Sequence, residues 1–190
     1  MKDTMEKCPL RGEIWGRVSA LLLFIGGLSP SVQAANDDNN LHFYGALVAE
    51  PCVILPGDEE IQLDFGTIID KYLYLNTRTG GQKVEINLAE CDPSLGKSVK
   101  VTFKGTENLA LPGLLAIDGS STATGIGIGL ETLGARPLPV NKESGEYPLQ
   151  KGSNQIALKA YVQGEPQAIN QKKIGLGYFS VVATVNLEYQ

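Results

Sequence analysis

Beyond position 40 the chain alternates apolar and polar residues in short runs. Leu41, Phe43, Gly45 and Leu47 alternate with His42, Tyr44 and Ala46, which predicts a strand with one apolar face. Pro51 and Cys52 end it. A short strand from Cys52 to Leu55 then runs into the turn at Pro56 and Gly57, and Ile61, Leu63 and Phe65 alternate again up to Gly66. Further strands are predicted through Val84, Ile86 and Leu88 to Cys91, through Val99, Val101 and Phe103, from Leu114 to Ile117, through Ile126, Ile128 and Leu130, and through Ile156, Leu158, Ala160 and Val162. The strongest run is the last, where Phe179, Val181, Ala183, Val185, Leu187 and Tyr189 share one face of a strand of about 12 residues ending at Gln190. Helical periodicity hardly recurs, and Gly, Pro, Asn and Asp punctuate the runs. The pattern predicts an all-β fold, an antiparallel sandwich of the immunoglobulin kind.

The first segment reads differently. Lys2, Lys7, Arg11 and Arg17 lead into an apolar run from Val18 to Leu28 that is too short to span a bilayer, followed by the small-residue ending Val32, Gln33, Ala34. This predicts a signal peptide over residues 1–34, with cleavage after Ala34 or Ala35. Its removal moves the net charge from −5 to about −6, which argues against nucleic acid as a partner. It also removes Cys8 and the only tryptophan, Trp15. Cys52 and Cys91 remain, and two cysteines in an exported chain predict one disulfide, worth roughly 4 kcal/mol for a loop of about 40 residues. Two thiols and the lone His42 do not make a four-ligand zinc site.

Both ends of the mature chain bear on function. The long terminal run has no further strand after it to pair with, and its last eleven residues carry neither Pro nor Lys to blunt an exposed edge. At the other end lies a spare alternating strand, preceded by the polar stretch Asn36 to Asn40. Strand addition between molecules follows from an open edge and a free strand, and added head to tail it gives a filament. The same pattern also allows the arm to fold back and complete its own domain, and on strand counting the two outcomes are even.

Several segments in order carry a resemblance: Phe43, Tyr44 and Gly45; Pro51 and Cys52; Leu63 to Gly66; Leu88 to Cys91; Val101 to Gly105 with Leu111, Pro112 and Gly113; and the ending from Gly177 to Gln190. Through them the chain resembles the chaperone–usher pilin family, in particular the minor and adaptor subunits of P-type and type 1 pili. The match thins over Thr67 to Gly81 and Ala135 to Gly152. The resemblance implies an incomplete immunoglobulin-like sandwich over residues 51–190 that lacks its last strand, with a donor-strand extension over 35–50. A periplasmic pilus chaperone would lend a strand first, and a neighbouring subunit's arm would replace it at the outer-membrane usher, placing the product in a surface fimbrium. Leu41, Phe43, Gly45 and Leu47 match the donor series, with Gly45 where backbones approach closely. Phe179, Val181, Ala183, Val185, Leu187 and Tyr189 match the acceptor edge, and the Gln190 carboxylate matches the group that chaperone cations anchor.

Other chemistry is sparse, and neither a catalytic residue nor a cofactor or metal is expected. His42 lies on the arm, where a Ser, His, Asp arrangement would have to form on a free strand. Asp58, Glu59 and Glu60 read as a solvated turn, because a calcium loop needs graded ligand spacing. Gly125, Gly127 and Gly129 alternate with isoleucines and no Lys follows at phosphate-loop spacing, so close sheet packing explains them better. Tyr72, Tyr74 and Tyr147 could stack on a sugar but are scattered. The sequence therefore predicts a non-enzymatic pilus building block. A tip adhesin with its own carbohydrate site and an assembly terminator are the alternatives.

Overall fold

A computed structural model describes residues 41–190. The expected signal peptide and the Asn36 to Asn40 stretch lie outside the described residues. Ala46–Gln190 form one compact unit. In chain order its elements are α1 (Asp70–Asn76), β1 (Gln82–Cys91), β2 (Ser98–Lys104), β3 (Leu115–Ala116), β4 (Ile126–Thr132), β5 (Glu143–Pro148), β6 (Gly152–Gly164), α2 (Pro166–Gln171) and β7 (Thr184–Tyr189).

The strands form two antiparallel sheets, one ordered β1-β6-β4-β3 and the other β5-β2-β7. Their inner faces share one core. Ile86 and Leu88 on β1, Ile126, Ile128 and Leu130 on β4, and the alternate residues Ile156, Leu158, Ala160 and Val162 on β6 meet Val99, Val101 and Phe103 from β2. Each of these large side chains contributes about 1.5–3 kcal/mol by leaving water, so the period-two pattern sets which face of each strand turns inward. The expected disulfide is present: Cys52 and Cys91 are bonded and both are buried. It ties the segment entering the sandwich to the end of β1, beside the single bridge between Val53 and Ala89.

The glycines of β4 serve close packing, as the sequence suggests. A Cβ on Gly129 would sit 2.2 Å from Tyr161 Cζ, because the tyrosine ring lies flat over the glycine on the outer face of the sheet. On the same face the Arg78 guanidinium stacks over that ring at 4.1 Å and donates to Glu131 Oε2 at 2.9 Å, with side-chain exposures of 38% and 5%. The hydrogen bond to Glu131 raises the Arg78 pKa further, against the opposing effect of burial.

Some expected strands do not form. Residues 41–50, including the run from Leu41 to Leu47, lie outside any strand and are exposed, because a strand needs a partner for its backbone groups. The Cys52 to Leu55 run is reduced to the Val53–Ala89 bridge, and the Ile61 to Phe65 run is irregular. The last strand is shorter than its pattern. Only Thr184–Tyr189 pair with β2, while the lead-in from Tyr178 to Ser180 bonds a loop: Asp118 N–H donates to Ser180 O at 2.8 Å, and Tyr178 N–H to Thr122 Oγ1 at 2.9 Å. Strand β5 and both helices carry no clear periodic signal, and β5 and α1 lie within the weakly matching stretches.

Candidate functional site

Strand β7 is an edge strand, and its apolar side is only half covered. Among the described residues β2 alone pairs with it, through Val99↔Tyr189, Val101↔Leu187 and Phe103↔Val185. Gln190 N–H donates to Ser98 O at 2.9 Å, which makes Ser98 and Gln190 a hydrogen-bonded pair. By the alternation of an antiparallel ladder, Glu188, Asn186 and Thr184 exchange bonds with β2, and the N–H and C=O groups of Val185, Leu187 and Tyr189 point away from it. The unpaired backbone groups and the apolar row therefore belong to the same residues.

That row continues upstream. Phe179, Val181, Ala183, Val185, Leu187 and Tyr189 are all partly buried against the core, and so are Leu63, Phe65 and Ile68 from the irregular segment before α1. The two rows line a groove. They touch at one end, where the Phe65 and Phe179 rings lie 6.1 Å apart at 38°. No backbone hydrogen bond joins 61–69 to 179–189 among the described residues. At this end sits a cavity of about 60 Å³ lined by Ile68, Leu73, Ile126, Val162, Ile174 and Phe179. Each half-covered side chain leaves on the order of 1 kcal/mol of apolar burial to be gained by whatever fills the groove.

The opposite end lies at Tyr189 and Gln190. Gln190 O accepts the Lys97 N–H at 2.8 Å, so the segment that the sequence assigns to chaperone contact is seated on the start of β2. Burial pushes the Tyr189 phenol above the ordinary tyrosine range, and the Glu50 carboxylate adds to the shift. Tyr147, also in register with Val99, is raised by burial too. The arm thus joins the sandwich close to the end of β7.

The acceptor residues expected from sequence come together as one face. Leu41, Phe43 and Leu47 of the expected donor series are exposed, and an added Cβ on Gly45 would meet nothing within 4 Å. His42 is exposed as well. Ile68 and Leu73 carry no alternating signal in the sequence, whereas Leu63 and Phe65, expected as a strand, form the second wall. Their alternation is visible in the sequence; that they face the same gap as Phe179 is not. Of the tyrosines considered for a sugar site, Tyr74 accepts the Ile174 N–H at 3.1 Å, Tyr147 packs on the core and Tyr72 is exposed, so the three do not converge. Among the described residues no group of three acidic, His or Cys side chains is placed to hold a metal.

The family model described as "Fimbrial protein" matches residues 41–190. The chain is 33% identical to the fimbrial adapter PapK of Escherichia coli, over 90% of this chain and 97% of that one. It is 32% identical to the putative minor fimbrial subunit PmfF of Proteus mirabilis, over 91% and 95% of the two chains. The crystal structure of the P pilus rod subunit PapA has the same fold, with a TM-score of 0.65 and 24% identity over 74% of this chain and 100% of that one.

Proposed function

The chain belongs to the fimbrial protein family and is a structural subunit of a chaperone–usher fimbria, and from that premise we propose that it works by strand exchange at the open edge of β7. A strand of a periplasmic chaperone fills the groove first. At the outer-membrane usher the arm of a neighbouring subunit takes its place, while this chain's own Leu41, Phe43, Gly45 and Leu47 fill a neighbour's groove. No turnover is involved. Free energy comes from covering the apolar row and pairing the backbone groups of Val185, Leu187 and Tyr189 in one step.

The observation that carries this reading is the coincidence, on the same three residues, of outward backbone groups and half-buried side chains. Edge strands are commonly blunted by lysine or proline, and Thr184–Tyr189 carries neither. The likeness to PapK and PmfF supports a minor or adaptor position in the fibre. A synthetic peptide with the sequence of residues 41–49 tests the mechanism: it raises the thermal stability of the chain lacking its arm. Indifference of that chain to the peptide rules strand acceptance out.

A further inference from the structure

The groove ends in an exposed face that strand acceptance alone does not use. Helix α1 turns Leu73 into the core and leaves Ile69, Tyr72 and Leu75, three residues apart in sequence, exposed on another side; Leu75 is 83% exposed. Tyr178, 91% exposed, and the exposed Leu176 stand on the lead-in to β7, which borders the same cavity as α1. A hollow of about 340 Å³ opens beside Ile69 and Tyr72, lined also by Phe65, Ile68 and Gly80. Lys71 on α1 and Lys172 and Lys173, which directly follow α2, are exposed, and the two helices are in contact. Exposed apolar surface gathered in one place marks an interaction site more often than scattered apolar residues do.

Strand direction says what reaches it. Every ladder of the sandwich is antiparallel, the more stable arrangement per residue. An arm entering in that sense puts Leu41 toward Tyr189 and Leu47 toward Phe179, so its later residues leave the groove at α1. Val53 follows Leu47 by six residues and therefore lies within about 20 Å of the cavity. The segment that arrives there is itself exposed and apolar at Val53, Ile54 and Leu55, and it is followed by the acidic turn Asp58, Glu59, Glu60. Apolar surface meets apolar surface, and the carboxylates meet Lys71, Lys172 and Lys173, with Asp70 at the cavity as the opposing charge.

We infer that the face formed by α1, the end of α2 and the lead-in to β7 docks the body of the donating copy of this chain, through that copy's segment from Val53 to Glu60. This rests on the strand-exchange reading and adds a second contact to it. The docking fixes the angle between successive copies, which a single inserted strand leaves loose.

Charge reversal in the full mature chain tests it. Lys172→Glu with Lys173→Glu, both at exposed positions, is expected to make arm-linked fibres dissociate about tenfold faster in denaturant at low salt, within the usual range for coupled charge pairs. Adding Glu59→Lys and Glu60→Lys is expected to restore the rate to within about threefold, and binding of the 41–49 peptide is expected to stay unchanged throughout. Unchanged fibre dissociation overturns the docking face, as does loss without rescue. A variant that loses only chaperone or usher binding overturns it too, by assigning the face to that partner. If the wild-type chain forms no arm-dependent fibre and binds no peptide, strand exchange itself fails and the docking face with it.

Discussion

Phe65 and Phe179 face each other with ring centroids 6.1 Å apart, although the segments that carry them are not paired through their backbones. Adjacent strands in a sheet lie about 4.8 Å apart, and a pair separated by one missing strand about twice that. The two rings join the walls of the groove where no backbone hydrogen bond does.

Phe179→Ala is therefore expected to lower the unfolding free energy by about 2 kcal/mol, from lost partial burial and the lost aromatic pair. Leu158→Ala, in the closed part of the core, is expected to cost about 3–4 kcal/mol. The order reverses for binding of the 41–49 peptide, where only Phe179→Ala weakens affinity. Urea unfolding and peptide titration of the two variants check this.

Gly129→Ala is expected to destabilise by about 2 kcal/mol, because its Cβ drives into the Tyr161 ring and the ring is held from above by Arg78. Gly134→Ala, whose Cβ would meet only Thr132 Oγ1 at 3.8 Å, serves as the control and is expected to stay within about 0.5 kcal/mol of wild type. Equal denaturation midpoints for the two variants would contradict the packing account.

Arg78→Met leaves the buried Glu131 carboxylate without its cation. The expected loss is about 2 kcal/mol, short of the roughly 3–5 expected for a wholly buried pair because Arg78 is partly solvated. Replacing both residues by Met recovers most of it. A double-mutant cycle in urea measures the coupling, and an additive result would show that the pair contributes nothing.

Much of this fold is legible in the sequence, for reasons that differ along the chain. On β1, β2, β4 and β6 one face is largely buried, so the period-two pattern is clear and names the core residues directly. Cys52 and Cys91 follow from counting. Where backbone pairing is missing the pattern misleads: Ile61 to Phe65 alternate as a strand does but lack the neighbour that would make them one. Phe179 to Ala183 alternate just as well, yet the backbone at Tyr178 and Ser180 bonds a loop instead of a strand. The helices α1 and α2, of 7 and 6 residues, are too short to set up a helical repeat and are held by tertiary contacts such as Leu73 in the core. The groove needed three dimensions, because its walls are more than a hundred residues apart in the chain.

Alkaline pH is expected to loosen the Tyr189 end of the groove first. Burial holds the Tyr189 and Tyr147 phenols above the ordinary tyrosine pKa of 10.0, so the folded state retains protons that the unfolded state has lost. Their contribution is complete below pH 10 or so and is lost as pH rises through the raised values. Unfolding free energy should therefore fall with pH in that range, and Tyr189→Phe should flatten part of the slope. Urea unfolding across the alkaline range reads both, and an unchanged slope would contradict the assignment.

Amide hydrogen exchange at β7 tests strand acceptance most directly. In the chain lacking its arm, the amides of Val185, Leu187 and Tyr189 point into the open groove and exchange fast, while those of Asn186 and Glu188, bonded to β2, are already protected. In arm-linked fibres of the full chain the first set is predicted to slow by about 100-fold or more, with the second set little changed. Fast exchange of Val185, Leu187 and Tyr189 in the fibre, or protection of all five amides in the arm-less chain, would contradict the account.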